Sequence, residues 1–156
     1  MGSKVYVDLK DALKVEGGVY KMDLSYKKLD PKDYQKLYKL KDLQVLKLSG
    51  NEVTEFPKNI GDMFNLVYFA SYNNQFTAFP ADLKKMQNLY HLELSNTKID
   101  SIPAEIAYLQ KLKTFKFSDT DDTLKLPVTL KYLKNLEDFQ VENCIMDSFP
   151  KQIFKI

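Results

Sequence analysis

The sequence contains no arginine, although 23 of its residues are basic, so every basic side chain is a lysine. Arginine is the side chain best suited to forming two parallel hydrogen bonds with a phosphate or a guanine, whereas lysine binds as a point charge. The formal net charge is only +2. Such a chain has no strong overall field to attract a nucleic acid or an anionic membrane. The composition therefore argues against a nucleic-acid partner.

Long hydrophobic runs and cysteines are also scarce. The longest apolar run is Leu66–Ala70, far shorter than the ~20 apolar residues that span a bilayer. Cys144 is the only cysteine, so no disulfide can form within the chain. We expect no membrane insertion. The first three residues resemble an expression-tag remnant. A secreted or cell-surface location is favoured if a leader was removed, and the cytoplasm otherwise.

What the sequence has instead is an internal repeat of 23 or 24 residues. Each unit has apolar residues at positions 1 and 4, almost always another at position 6, often Asn or Thr at position 9, and an apolar residue followed by proline further on. The units begin at Val19, Leu43, Leu66, Leu89, Leu112 and Leu136.

The spacing predicts one strand per unit. Successive side chains of a strand point to opposite faces, so positions 4 and 6 point inward and positions 3, 5 and 7 point outward. An inward asparagine at position 9, such as Asn74, can bond the backbone groups that the following turn leaves unpaired. Ser71 is the polar exception at position 6. We expect it to be either loosely packed or bonded to a polar partner inside.

The residue types at these repeat positions resemble those of the leucine-rich repeat family in its 23-residue form. The resemblance covers residues 19–154, and the bacterial members that place an apolar residue and proline late in each repeat look most similar. It implies an α/β solenoid that is curved and right-handed. In such a solenoid a six-stranded parallel sheet forms the concave side, and the convex side is mostly irregular.

The domain organisation follows from the same columns. Residues 1–18 are predicted to be a tag remnant and an N-terminal capping helix, because Val5, Leu9, Ala12 and Leu13 would share one helix face. Asp30-Pro31 predicts another short helix in the first repeat. The six predicted repeats are 19–42, 43–65, 66–88, 89–111, 112–135 and 136–156.

No catalytic constellation is present. His91 and Cys144 fall on opposite sides of the sheet and two strands apart, about 10 Å at the usual strand spacing, whereas a nucleophile and its base need hydrogen-bond reach. The acidic segment 118–123 lacks the glycine and the bidentate glutamate of a calcium loop. It is better explained as an insertion bulge. We therefore predict no enzymatic activity, cofactor or metal site.

The outward-facing residues at positions 3, 5 and 7 include one aromatic patch. Ala70 lies between Tyr68 and Tyr72 on its own strand, and between Lys47 and Glu93 on the neighbouring strands. This arrangement predicts a shallow notch with aromatic walls, of the residue type enriched at binding hot spots. The alternative is that tyrosines simply suit a sheet surface. The candidate ligand-binding residues are Val45, Lys47, Tyr68, Ala70, Tyr72, His91, Glu93 and Lys116.

The predicted function is that of a non-enzymatic binding module, which recognises a protein partner, or a glycan, on its concave face. The alternative is a structural or docking fragment of a longer repeat protein. In that case the C-terminal end, which shows no polar segment to cover the last apolar layer, would mediate assembly or dimerisation.

Overall fold

One parallel sheet runs through the computed structural model, which describes residues 4–146, 148–149 and 151, apart from the side chains of residues 121 and 122. Seven described strands are hydrogen-bonded in chain order. They are β1 (Val5–Tyr6), β2 (Lys21–Asp23), β3 (Val45–Lys47), β4 (Tyr68–Tyr72), β5 (His91–Thr97), β6 (Thr114–Leu124) and β7 (Asp138–Met146). Because every neighbour is the next strand along the chain, the architecture is a solenoid, as predicted.

In the sheet, residues at equivalent positions of successive repeats lie opposite each other. Position 3 of one repeat pairs with position 3 of the next, as in the series Val45, Tyr68, His91 and Thr114. The residues at positions 4 and 6 are buried in the first five repeats, where Phe69, Leu94 and Phe115 have no exposed surface, and Phe139 and Val141 of the last repeat are partly buried. Burial of these apolar side chains between the sheet and the opposite wall is the main source of stability in such a fold.

The convex side is mostly irregular, as predicted, and carries short helical turns. The helix α1 (Leu9–Ala12) precedes the repeats, and α2 (Pro31–Tyr34) lies in the first repeat. Asp30 caps α2 by accepting a hydrogen bond from the Lys32 N–H at 2.8 Å, which confirms the predicted helix there. Single 3₁₀ turns follow at Leu37–Lys39, Ile60–Asp62, Leu83–Lys85, Ala104–Tyr108 and Val128–Tyr132.

The N-terminal segment differs from the prediction, since it contributes a strand as well as a helix. Val5 was predicted to lie on the apolar face of a capping helix, but it is 47% exposed and pairs with Lys21 in the sheet. The helix begins only after Asp8, which is extended and caps it by accepting from the Asp11 N–H at 2.9 Å. The sheet therefore has seven described strands instead of the predicted six, because a valine–tyrosine pair suits a strand.

The inward asparagines bond the backbone where the chain leaves the strands. The side-chain nitrogen of Asn74 donates to the Leu48 carbonyl at 2.8 Å and to the Ser71 hydroxyl at 2.7 Å. Its side-chain oxygen accepts from the N–H groups of Asn51 and Val53, each at 3.1 Å. Asn74 is only 3% exposed, so the predicted inward position is confirmed. One side chain thus ties two successive repeats together.

Ser71 is part of the same arrangement. Its side chain is fully buried, and its hydroxyl accepts the hydrogen bond from Asn74. Of the two alternatives for this polar exception, the bonded one is therefore correct. Replacing the hydroxyl by an apolar group would remove one partner of a buried amide.

The residue at position 8 of every repeat adopts the left-handed backbone conformation. The sequence pattern of apolar positions did not predict this. The φ values lie between 50° and 63°. Asn, Asp and Gly tolerate this conformation better than other residues do. The residues concerned are Tyr26, Gly50, Asn73, Asn96, Asp119 and Asn143. The frequency of Asn, Asp and Gly at position 8 could have predicted this conformation from the sequence.

The insertion predicted for segment 118–123 is also present. β6 and β7 pair in register as far as Thr120 and Cys144, and the pairing then resumes with Thr123 opposite Ile145. The shift is the β-bulge expected from the extra residue of this repeat.

Replacing Asn74 by alanine should destabilise the chain. The change leaves buried backbone groups unpaired, and each such group typically costs ~1–3 kcal/mol of the free energy of unfolding. Urea denaturation measures the loss. Asn65→Ala is the matched control, because Asn65 is exposed and donates one side-chain hydrogen bond, to the Lys41 carbonyl. Equal stability of the two variants would contradict the structural role given to Asn74.

Candidate functional site

The predicted binding residues lie on four neighbouring strands, β3 to β6. The register aligns Val45, Tyr68 and His91 in one row across the strands. A second row, two residues further along each strand, consists of Lys47, Ala70, Glu93 and Lys116. Tyr72 lies in the next row, opposite Ser95. The sheet register therefore brings all eight residues onto one surface.

Tyr68 and His91 form a stacked pair. Their ring centroids are 4.3 Å apart and their planes are inclined by 7°. The two residues are direct register partners on β4 and β5, where adjacent strands bring side chains on the same face within contact distance. The stack packs two half-buried rings face to face across the two strands.

Glu93 connects this stack to Tyr72. Its Oε2 atom lies 3.1 Å from Nε2 of His91, and its carboxylate is close enough to the Tyr72 hydroxyl to raise the pKa of that group. The side chains of His91 and Glu93 are only 19% and 22% exposed. We call Tyr68, Tyr72, His91 and Glu93 the Glu93 cluster.

Burial and the Glu93 charge hold the tyrosines of the cluster in their neutral form. Partial burial is the largest cause of the raised pKa of Tyr72, followed by the interaction of its hydroxyl with the Glu93 carboxylate. The pKa of Tyr68 is also raised, first by burial and then by Glu93, whereas Lys116 lowers it. Both hydroxyls therefore ionise only at a higher pH than an ordinary tyrosine does.

The backbone of β4 is fixed behind Tyr72. The Tyr72 N–H donates to the Ser49 hydroxyl at 3.1 Å, and the Tyr72 carbonyl accepts from Gly50 at 2.8 Å. Ser49 is only 4% exposed, although position 7 was predicted to face outward. It serves as an acceptor where β3 has already ended. Tyr72 is consequently held on a rigid element.

Two details of the predicted notch differ in the structure. Ala70 was expected to form an open floor, but it is only 1% exposed, because the larger side chains around it cover its methyl group. Lys116 pairs in register with Glu93, yet its ammonium lies 3.3 Å from the Asp138 carboxylate on the next strand. Ala70 therefore supports the surface instead of forming a recess, and Lys116 extends the charged rim towards β7.

The described residues contain no arrangement typical of catalysis or metal binding. Within this part of the chain, no group of three or more His, Cys, Asp or Glu side chains is placed to hold a metal ion. His91 lies on β5 and the half-buried Cys144 on β7, and burial raises the pKa of the Cys144 thiol. The thiol donates to the Glu142 carbonyl at 3.1 Å.

None of the described helices is both long enough and apolar enough to cross a bilayer. The first three residues, predicted to be a tag remnant, lie outside the described residues. So do residues 152–156, on which the C-terminal assembly and dimer hypotheses depend.

The titration of Tyr72 tests the geometry of the cluster. Its pKa is raised, so the neutral phenol stabilises the fold below the ordinary tyrosine pKa, and this contribution is lost as the pH rises through the folded-state value. Glu93→Gln removes the negative charge and should lower the pKa of Tyr72, while burial keeps it above normal. Ultraviolet titration of phenolate formation, compared with Tyr72→Phe, measures the shift. Glu137→Gln, at an exposed carboxylate, is the control, and an unchanged Tyr72 pKa in Glu93→Gln would contradict the contact.

Known structures share this architecture, although no family sequence model and no curated protein sequence matches the chain. A leucine-rich repeat protein of Leptospira interrogans is 30% identical over 88% of this chain and 40% of its own, with a TM-score of 0.68. Internalin C2 of Listeria monocytogenes gives 21% identity, 83% and 64% coverage, and a TM-score of 0.57.

A plant peptide hormone receptor, RGFR1 in complex with RGF2, gives 20% identity, a TM-score of 0.64, and coverage of 90% of this chain and 23% of the receptor chain. This chain spans less than two thirds of each of these three proteins. The six sequence repeats, the in-register parallel sheet and these structural similarities all indicate the same family. The chain belongs to the leucine-rich repeat proteins.

Proposed function

We propose that this chain is a non-enzymatic binding module whose concave face recognises a protein partner, with the Glu93 cluster at the centre of the contact. The observation that carries the proposal is the ordered state of the cluster before any partner is present. Tyr68 and His91 are stacked, Glu93 pairs with His91 at 3.1 Å, and its charge acts on the Tyr72 hydroxyl. These contacts restrict the rotamers that binding would otherwise have to order.

Preorganisation matters because immobilising a flexible side chain on binding costs about 0.5–1.5 kcal/mol. Tyrosine rings supply a large contact area and have few rotatable bonds. In the cluster they are also half-buried, so a partner needs to remove only their remaining exposed surface from water. Tyr68 and Tyr72 are therefore the proposed anchors.

The surrounding residues form a rim with a different role. Lys47 is exposed, and Lys116 keeps about a third of its side chain in solvent. Charges in such positions steer encounter and set the salt dependence of association more than they set affinity. Val45 continues the apolar surface towards β3. Ala70, covered by its neighbours, contributes through the packing of the tyrosines.

A protein or peptide is favoured over a glycan as the partner. The plant receptor named above was solved in complex with RGF2 and is described as a peptide hormone receptor. The cluster itself presents stacked rings and a carboxylate already engaged by two side chains. Few unpaired polar groups remain there for the dense hydrogen bonding that a sugar requires.

The test is affinity capture by the purified chain from the source cells, followed by calorimetry with the purified partner. Tyr72→Ala should weaken binding by at least ~2 kcal/mol, as hot-spot truncations do. Tyr132→Ala is the matched control, because Tyr132 lies in a convex turn and is 50% exposed. It should bind like the wild type.

Three results would contradict the proposal. Equal losses from Tyr72→Ala and Tyr132→Ala would show a nonspecific effect. No loss from Tyr72→Ala or Tyr68→Ala would leave the tyrosines as ordinary strand residues. Recovery of a glycan whose binding ignores both tyrosines would place recognition elsewhere.

A further inference from the structure

A groove runs along the edge where β4 and β5 begin, on the other side of the Tyr68–His91 stack from Tyr72. Its volume is about 620 Å³, and its apolar walls are Val67, Tyr90 and the stacked rings. Val67 and Tyr90 are 37% and 48% exposed, which is high for large apolar side chains. Both occupy position 2 of their repeats, just before the strands, where strand alternation makes no prediction. We call this surface the edge groove.

The walls of the edge groove are fixed by the backbone. The Tyr90 N–H donates to the Val67 carbonyl at 2.8 Å, and the Val67 N–H donates to the Gln44 carbonyl at 2.9 Å. Two asparagines secure the turns that precede these residues. Asn65 donates to the Lys41 carbonyl at 2.9 Å, and Asn88 to the Phe64 carbonyl at 2.7 Å. The groove is therefore preformed.

The charge lining the edge groove has one sign. Lys111 lies at its rim, and its ammonium donates to the neutral Asn88 side chain at 2.6 Å. None of the ion pairs among the described residues includes Lys111, whereas the nearby Lys113 is paired with Glu137 at 2.6 Å. None of the described carboxylates lines the groove, and its remaining polar lining consists of amides, His91 and the Tyr68 and Tyr90 hydroxyls. An anionic group placed there would meet an uncompensated cation and amide donors.

A second apolar surface adjoins Lys111 on the convex side. Phe64 and Tyr108 are each 57% exposed, and they line a neighbouring groove that also contains Lys111. The residues equivalent to Phe64 in the other repeats are lysine or glutamine, namely Lys41, Gln87, Gln110 and Lys134. Exposed aromatic side chains grouped in this way indicate an interaction surface more strongly than scattered ones do.

We infer that the edge groove binds a segment of a protein partner in which an apolar side chain lies close to a carboxylate. The apolar side chain packs between Val67 and Tyr90, and the carboxylate pairs with Lys111. Complementarity of charge selects an acidic segment, since a basic one would face Lys111 without a compensating carboxylate. The inference rests on the proposed function in taking the partner to be a protein, but its residues Val67, Tyr90 and Lys111 lie outside the Glu93 cluster.

The experiment selects short random peptides displayed on phage against the purified full chain, and then measures synthetic versions by fluorescence anisotropy. Enriched sequences should place Asp or Glu next to or near a large apolar residue. Tyr90→Ala should weaken these peptides by about 10-fold or more. Lys111→Glu should abolish the acidic preference and select basic peptides instead, a reversal that a merely structural role of Lys111 would not produce.

A matched cation and aromatic pair provides the control. Lys131 lies over the Tyr132 ring at 5.0 Å on the convex side, so Lys131→Glu and Tyr132→Ala make the same chemical changes away from the groove. Both should bind the selected peptides like the wild type. Thermal melts of all four variants exclude unfolding as the cause of a loss.

Failure of this inference is distinguishable from failure of the proposed function. Tyr72 does not line the edge groove, so the selected peptides should still bind Tyr72→Ala. If Tyr72→Ala leaves the protein partner bound while Tyr90→Ala and Lys111→Glu lose the peptides, only the proposed concave contact is wrong. Absence of acidic enrichment, enrichment of basic peptides, or undiminished binding to Tyr90→Ala and Lys111→Glu overturns the edge-groove assignment.

Discussion

The rest of the structure depends on the hydrogen bonds of the inward asparagines. A parallel strand that ends leaves N–H and carbonyl groups unpaired inside the solenoid, and burying them without partners costs free energy. Asn74 pairs three such groups across two repeats, and Asn51 acts in the same way one repeat earlier by accepting from the Lys27 N–H and donating to the Leu24 and Leu48 carbonyls. Stacking of the apolar layers supplies stability, but Asn51 and Asn74 fix where β3 and β4 stop and the chain turns outward.

This fixed frame gives the concave face its chemistry. The strands hold the Tyr68–His91 stack between two different environments. On one side Glu93 contacts His91 and raises the pKa of Tyr72, and on the other side Lys111 lies at the rim of an apolar groove. A partner that spans the stack would meet aromatic surface throughout, with opposite charges at its two ends. Such an arrangement would set the orientation of a bound segment as well as its affinity.

The repeat period predicted the register, the buried columns and the inward position of Asn74, because side-chain direction in a strand follows directly from position. It could not predict which long side chains would meet. Lys116 has both Glu93 and Asp138 within reach of its strand, and rotamers decide between them. The burial of Ala70 by the larger side chains around it likewise depends on their conformations. β1 escaped prediction because two residues carry no periodic signal, and Val67 and Tyr90 did so because they precede the strands.

Native-state amide hydrogen exchange tests the central role of the asparagines most directly. The N–H groups of Asn51 and Val53 donate to the side chain of Asn74, whereas the Leu48 N–H donates to the Ala70 carbonyl within the sheet. We expect all three amides to be protected in the wild type. In Asn74→Ala the protection of Asn51 and Val53 should fall much further than that of Leu48. Unprotected Asn51 and Val53 amides in the wild type, or protection that survives the substitution, would contradict this role.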